Sequence, residues 1–137
     1  MINKDDFKER FGHFDKEIVV EIINIFIEEY DDRITKITAY IEEQNIDALR
    51  KAIHGFKGVI ANFDNVGQAY KKGNFIENET AELLQEINQG RTFSSVELIA
   101  FFNKIRQEFE NFKLASFELL AELKHIKNDY LWKGSLV

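Results

Sequence analysis

The amino-acid sequence predicts an all-α fold: an antiparallel up-down four-helix bundle with a short extra N-terminal helix and an extended C-terminal helix. Four long segments repeat apolar residues every three or four positions, which is the spacing of one helix face. The chain of 137 residues contains no proline and only seven glycines, and these residues most often interrupt helices. No stretch alternates apolar and polar residues for long enough to predict a strand. The length suits a single domain over residues 1–137.

The first two predicted helices differ in length. Residues 4–12 form a short helix in which Phe7 and Phe11 lie four positions apart, and we expect it to cover one end of the bundle. Asp15 can serve as the N-cap of the second helix, which extends to Gln44. The apolar residues of this second helix follow a nearly heptad spacing. They are Val19, Ile23, Phe26, Tyr30, Ile34, Ile37 and Ile41.

The third helix is predicted over residues 46–63, with Asn45 as its N-cap. Its apolar stripe consists of Leu49, Ile53, Phe56, Ile60 and Phe63. Because each residue of a helix turns the chain by roughly 100°, His54 points well over 90° away from that stripe. We therefore expect the stripe to lie in the core and His54 to face water.

The last two predicted helices complete the bundle. The fourth ends near Gly90, and its weaker stripe is Val66, Ala69, Gly73, Ile76, Thr80, Leu83 and Ile87. Ser94 and Glu97 form the capping-box pattern that opens the fifth helix. The stripe of the fifth helix, interrupted by Ser116, is Leu98, Phe102, Ile105, Phe109, Phe112, Leu119, Leu123, Ile126 and Tyr130. An unbroken helix of this length would run about 50 Å, so we expect its end to overhang the second helix or bend back.

The residues around His54 predict a surface that another protein approaches. Gly55, Gly58 and Ala61 are small, and each glycine inside a helix costs about 0.5–1 kcal/mol relative to alanine. A bare surface would let the backbone of a partner come close to the imidazole. Lys57 lies one turn further on and supplies positive charge for an anion. This combination suits a phosphoryl group.

These residues resemble a known family motif. The sequences HGFKG at 54–58 and ANF at 61–63 resemble the H-x-[apolar]-K-G-x-x-A-N-[apolar] signature of histidine-containing phosphotransfer (HPt) domains. The resemblance implies the same bundle, with His54 as the phospho-acceptor and Lys57 as a nearby cation. We expect the partner-binding surface to include Arg50, Gly58, Ala61 and Asn62. The Asp-Asn pair at 64–65 departs from the Gly-Ala that the family commonly has there, which affects the connection to the next helix.

The resemblance implies a phosphoryl carrier in a two-component phosphorelay. His54 would take the phosphoryl group from an aspartate of a response-regulator receiver domain, free or part of a hybrid histidine kinase, or return it to one. Magnesium would come from the acidic pocket of the receiver, so we expect no metal or other cofactor on this chain. Nothing resembles the glycine-rich ATP site of a kinase, so the chain is not expected to be an enzyme. The alternative is a non-catalytic helical adaptor that binds a receiver or kinase domain.

We expect a shallow apolar patch beside His54 to recognise the receiver, with Phe11 or Phe14 as contributors. The other histidines, His13 and His125, have no metal-ligand spacing around them and are predicted surface residues. A metal-dependent hydrolase would need more histidines to converge on one site.

Composition narrows the remaining function classes. The net charge of −6 argues against nucleic acid as a partner. Five basic residues near the histidine could steer an acidic protein pocket: Arg50, Lys51, Lys57, Lys71 and Lys72. The chain has no cysteine and no apolar stretch of the roughly 20 residues that a membrane span requires. We therefore expect a cytoplasmic monomer.

Overall fold

The structure is a computed structural model that describes residues 2–133, with side chains for residues 2–131. Within that part of the chain every regular element is an α-helix, which confirms the all-α prediction. Residues 134–137, to which the sequence assigned no element, lie outside the described residues. The helices are α1 (Lys4–Phe11), α2 (Lys16–Glu42), α3 (Ile46–Ala61), α4 (Gln68–Asn88) and α5 (Ser95–Lys133).

The four long helices pack in a cyclic order. α2 packs against α3 and α5, and α4 packs against the same two helices. α2 and α5 run antiparallel, because Tyr30 meets Ser116 at 2.8 Å whereas Glu42, further along α2, meets the earlier Arg106 at 3.1 Å. The α3/α4 pair therefore lies on the opposite side of the molecule from the α2/α5 pair.

The core consists of the predicted apolar stripes. All five apolar residues of the α3 stripe are at most 4% exposed. Phe56 lies at the centre, with its ring 5.9 Å from Tyr30 of α2 and 5.2 Å from Phe112 of α5. Burying a phenylalanine side chain contributes about 1.5–3 kcal/mol, so this packing fixes which side of α3 remains outside.

The helix ends follow the predicted capping chemistry with one exception. The Asn45 side chain accepts a hydrogen bond from the Ala48 amide at 3.2 Å, as the N-cap of α3. Ser94 and Glu97 make the reciprocal pair of bonds of a capping box. Asp15 occupies the N-cap position of α2, but its side chain makes no capping hydrogen bond.

Two residues predicted for the core stripe of α4 are exposed, so that part of the prediction was wrong. Val66 is 64% exposed because it precedes α4, in a turn where the Asp64 carboxylate accepts hydrogen bonds from the amides of Val66 and Gly67. Ile87 is 38% exposed. The contacts of His54 with Glu77 and of Lys57 with Asn74 show that α3 and α4 run antiparallel, so Ile87 lies level with the residues that precede α3.

α1 covers the end of α5 that extends past the other helices. α5 is continuous over 39 residues, or about 58 Å at the usual rise. Phe7 is 1% exposed, and its ring lies 6.3 Å from that of Tyr130. The amide of Ile2 donates to the Glu122 carboxylate at 2.7 Å. The C-terminal part of α5 is thus packed under the N-terminal segment.

Candidate functional site

His54 stands on the outer side of α3, as the spacing of the apolar stripe predicts. Its side chain is 68% exposed, whereas its neighbour Ile53 is completely buried. Adjacent side chains point about 100° apart on a helix, so Ile53 faces the core while His54 faces outward. The burial of Ile53 and Phe56 therefore fixes the rotation of α3 that keeps the imidazole at the surface.

A carboxylate of α4 binds the imidazole. Nδ1 of His54 lies within hydrogen-bonding distance of Oε1 of Glu77, and the ammonium of Lys57 pairs with Oε2 of the same carboxylate. Lys57 also donates to Oδ1 of Asn74 at 3.0 Å. The side chains of Glu77 and Lys57 are only 13% and 15% exposed.

The charge state of Glu77 determines the tautomer of His54. Burial raises the pKa of the Glu77 carboxyl, but hydrogen bonds and charge from Lys57 and His54 outweigh it and bring that pKa below its ordinary value. Glu77 is therefore ionised at neutral pH and can only accept hydrogen bonds. In the neutral imidazole the proton therefore lies on Nδ1, and the lone pair lies on Nε2.

The surface beside His54 carries no side chains at two positions. A Cβ atom built on Gly55 or on Gly58 would meet nothing within 4 Å. Neither glycine is therefore needed for packing within this chain. Both residues are exposed, so the backbone of α3 is open to solvent beside the imidazole, one and four residues after it.

The sequence predicts Lys57 as a cation for an anion at His54, but its side chain does not extend into solvent. Its ammonium turns toward α4, where it lies 5.5 Å from the ring centre of Tyr70. Its stem passes Gly73, whose added Cβ would lie 3.8 Å from the Cβ of Lys57. The reason is position: Lys57 lies closer to the buried stripe than His54 does, so its long side chain enters the groove between α3 and α4.

The structure spreads the other predicted binding residues along α3. Arg50 is half-buried and lines a groove with Ala81 and Gln85 of α4. Ala61, at the last turn, is half-buried, and its carbonyl accepts a hydrogen bond from Arg10. Asn62 is exposed at the C-cap. Only Gly58 and Arg50 lie within about one turn of His54.

Glu77 and Asn74 were missed by the sequence reasoning. They are three positions apart on α4, which places them on one side of that helix. That spacing alone carries no sign of a partner 23 residues earlier. Glu77 and Asn74 could have been predicted near His54 only by assuming how α3 and α4 align along each other.

Of the two phenylalanines that we expected in an apolar patch beside His54, the prediction was wrong for Phe11. Phe11 is 7% exposed and stacks on Phe63 at 5.9 Å, so it belongs to the core. Phe14 is 48% exposed. On α2, which packs against α3, Ile18 and Ile25 are also exposed, at 43% and 48%, and lie seven positions apart on one side of the helix.

Comparison with known proteins adds no relatives: no family model, no curated protein and no solved structure matches this chain. Among the described residues, no helix has the length and apolarity to cross a membrane. The same part of the chain has no group of three or more histidine, cysteine or acidic residues placed to hold a metal ion. His13 and His125 are exposed.

Proposed function

We propose that this protein is a histidine phosphotransfer carrier in which His54 accepts a phosphoryl group from a receiver-domain aspartate and passes it to another. The observation that supports the proposal best is an exposed imidazole whose Nδ1 is bound by an ionised carboxylate. That arrangement leaves Nε2 with its lone pair, and no described side chain hydrogen-bonds this nitrogen. A single domain with the antiparallel four-helix bundle of HPt proteins, plus α1, would be the scaffold.

The transfer needs no proton movement on this chain. The lone pair of Nε2 attacks the phosphorus of an aspartyl phosphate in line with its P–O bond. The N–P bond forms as the P–O bond breaks, and the electron pair of the broken bond returns to the aspartate as a carboxylate. The imidazole then carries a positive charge, which the Glu77 carboxylate on Nδ1 stabilises. The reverse sequence hands the phosphoryl group to the next receiver.

Lys57 has two roles in this proposal. It pairs with Glu77 and donates to Asn74, so it holds the carboxylate that orients His54. It also keeps a positive charge one helical turn from the site of transfer, where phosphoryl oxygens would gather. Arg50, one turn away in the other direction, adds a second cation, which is half-buried in the groove beside α4.

The proposed partner is the acidic pocket of a receiver domain, whose magnesium ion would shield the charge of the phosphoryl group. Gly55 and Gly58 leave room for the loops around that pocket to reach Nε2. Ile18 and Ile25 of the adjoining α2, and Phe14 just before that helix, offer exposed apolar contact area. The chain would then act as a carrier without kinase activity of its own.

The experiment is transfer from a labelled receiver. We expect the wild-type protein to take ³²P from a phosphorylated receiver and to hold it in an acid-labile, base-stable form, as phosphohistidine does. H54Q should take none, whereas H125Q, which alters an exposed histidine elsewhere, should behave as wild type. Label on H54Q would overturn the assignment. A protein that binds receivers but never accepts label would support the adaptor alternative.

A further inference from the structure

The contact between Glu77 and His54 bears on the phosphorylated ring as well as on the free one. Oε1 of Glu77 lies within hydrogen-bonding distance of Nδ1, and Oε2 of the same carboxylate pairs with Lys57. A phosphoryl group would attach to the other ring nitrogen, Nε2. Because the two nitrogens lie on different edges of the ring, attachment at Nε2 does not require Glu77 to leave Nδ1.

The proton on Nδ1 decides how readily a phosphoryl group leaves Nε2. When the N–P bond breaks, its electron pair returns to Nε2. A ring that carries a proton on Nδ1 then departs as neutral imidazole, whereas a ring without that proton departs as an imidazolate anion, which is a much poorer leaving group. A phosphorylated histidine is therefore far more reactive while its Nδ1 holds a proton.

The charged groups around Nδ1 come from α3 and α4. Burial opposes ionisation of the Glu77 carboxyl, but hydrogen bonds and charge from Lys57 and His54 lower its pKa, so the group is an anion at neutral pH. Lys57 shares this carboxylate and disfavours a positive ring, as does Arg50, which is half-buried one turn before His54. Of these groups only the Glu77 carboxylate contacts Nδ1, and it is 13% exposed, so its attraction for a proton there is weakly screened.

The charged side chains of α2 lie along the other side of α3. Glu29 and Arg33 line a groove there with Ala52. Since two residues turn a helix by about 200°, the side chains of Ala52 and His54 point about 160° apart. α5 packs chiefly against α2 and α4. The balance of charge at Nδ1 is therefore set by α3 and α4.

We propose that Glu77 keeps Nδ1 protonated in phosphorylated His54, so that the chain holds its phosphoryl group in the form that leaves readily. The inference rests on the proposed function, because it takes His54 as the phosphoryl acceptor. Departure of the group then needs no acid from the protein that receives it. An acceptor that offers only a carboxylate and a metal ion, as the acidic pocket of a receiver does, is therefore sufficient.

The first test is the rate of hydrolysis of the phosphorylated chain as a function of pH. The background protein is H13Q/H125Q, in which His54 is the only histidine, and phosphoramidate labels it without a receiver. In hydrolysis the oxygen of water bonds to phosphorus as the N–P bond breaks, and the proton that water loses goes to the solvent. ³¹P NMR follows the loss of phosphohistidine. The pH at which the rate falls to half of its acid value should be lower by about one unit or more when E77Q is added.

The profiles with and without E77Q should also cross. At acid pH both rings are protonated, and the Glu77 carboxylate stabilises a positive charge that disappears as the phosphoryl group leaves. E77Q should therefore hydrolyse faster than the background protein at acid pH and more slowly at alkaline pH. E79Q, which changes a glutamate on the same helix, should match the background protein. Parallel or coincident profiles for E77Q and the background protein would overturn the proposal.

K57Q should move the profile in the opposite direction. It removes a cation from the carboxylate that Lys57 and His54 share, so Nδ1 should hold its proton to a higher pH than in the background protein. General damage to the site would not shift E77Q and K57Q in opposite directions. Shifts of both variants toward lower pH would contradict the proposed competition for Glu77.

These measurements separate the inference from the proposed function. Receivers that never label His54 would reject the carrier, while crossed profiles of the phosphoramidate-labelled chain would still support the role of Glu77. Ready transfer from receivers together with coincident profiles would retain the carrier and reject the inference. Failure of phosphoramidate to label His54 would also reject it, since Nε2 would then not be available as a nucleophile.

Discussion

The chemistry of His54 depends on one residue that the sequence motif does not contain. Glu77 approaches Nδ1 from α4 and is itself 13% exposed, so a carboxylate lies largely out of water beside an exposed ring. Such a carboxylate is costly to bury unless cations pair with it. Lys57 provides that pairing, which explains why its ammonium points into the protein. The three residues therefore act as one unit.

Replacing Glu77 by glutamine should change the tautomer of the His54 imidazole while the histidine itself stays in place. Because an amide can donate as well as accept, E77Q should allow both imidazole tautomers, and ¹⁵N chemical shifts of His54 would show the mixture. Phosphoryl uptake from a receiver should slow, since the ring charge formed during transfer loses its counter-ion. E79Q is the matched control, because Glu79 lies on the same helix and pairs with Lys104. Unchanged tautomers in E77Q would show that Glu77 does not set them.

Glu77 should also make stability depend on pH. Its pKa in the folded protein is lowered, so its stabilising contribution is present above the unfolded value of about 4.5 and is lost as the pH falls through the folded pKa. At pH 7 we expect E77Q to lose about 1–2 kcal/mol, because the poorly hydrated Lys57 loses its charged partner. Urea unfolding of both proteins should show this difference shrinking below pH 4.5. A constant difference from pH 7 to pH 3 would contradict the linkage.

At the scale of the helix, glycines serve two different purposes. Gly55 and Gly58 of α3 have empty space where a side chain would be. Gly73 of α4 has the ring of Phe112 only 3.1 Å from the position of a Cβ. The first two therefore weaken α3 with no packing benefit inside the chain, whereas Gly73 allows α4 to lie close to α5.

Alanine at Gly58 should stabilise the protein while impairing transfer. In an exposed helical position with no clash, G58A should raise the free energy of unfolding by about 0.5–1 kcal/mol through helix propensity. If the bare surface serves partner approach, the same change should slow phosphoryl uptake from a receiver. Urea unfolding and transfer kinetics on the same preparation measure both effects. A G58A protein that is more stable and equally fast would remove the proposed reason for this glycine.

G73A is the control for G58A, because it makes the same chemical change in another helix. The new methyl group would press on Phe112, so the gain in helix propensity should be offset and the net stabilisation should be smaller than in G58A. Gains of equal size would indicate that Phe112 moves aside without cost.

At the scale of the whole molecule, the antiparallel helices are joined by few polar contacts in the core. The clearest is the hydrogen bond between the Tyr30 hydroxyl of α2 and Oγ of Ser116, at 2.8 Å. Ser116 is completely buried and interrupts the apolar stripe of α5. The interruption is explained by Tyr30, whose hydroxyl would otherwise be largely unsatisfied. The pair also determines how α2 and α5 align.

A double-mutant cycle should show that Tyr30 and Ser116 act together. S116A leaves the Tyr30 hydroxyl with only a 3.4 Å contact to the Lys113 carbonyl, so it should cost about 1–3 kcal/mol. Y30F should cost a similar amount, and Y30F/S116A should cost less than the sum because no polar group is left unpaired. Denaturant unfolding measures all four proteins. Strict additivity would mean that the hydrogen bond contributes little.

The same tyrosine should affect stability at alkaline pH. Burial raises the pKa of Tyr30, the hydrogen bond with Ser116 opposes that shift, and the nearby Asp31 adds to it. A raised folded pKa means that the stabilising contribution is complete below the unfolded value of about 10 and is lost as the pH rises further. Y30F should therefore remove part of the alkaline loss of stability.

Much of the fold could be read from the sequence because helix faces are local. The spacing of Leu49, Ile53 and Phe56 is a property of neighbouring residues, and it decides both the buried side of α3 and the exposure of His54. Caps at Asn45 and Ser94 are equally local. Two core predictions were wrong because the apolar spacing along the chain does not show where a helix begins or which helices cover it. Val66 matches the apolar spacing of α4 but lies in the turn before it, and Ile87 matches that spacing but extends past α3.

By itself the sequence determined the all-α class, the helix order and an exposed histidine with glycines one and four residues after it. The tertiary structure alone decided that Glu77 binds Nδ1, that Lys57 turns inward and that Phe11 is core. The physical reason is distance along the chain. These contacts depend on the register between α3 and α4 and on the packing of α1, and such registers arise from the sum of many buried contacts rather than from any local pattern.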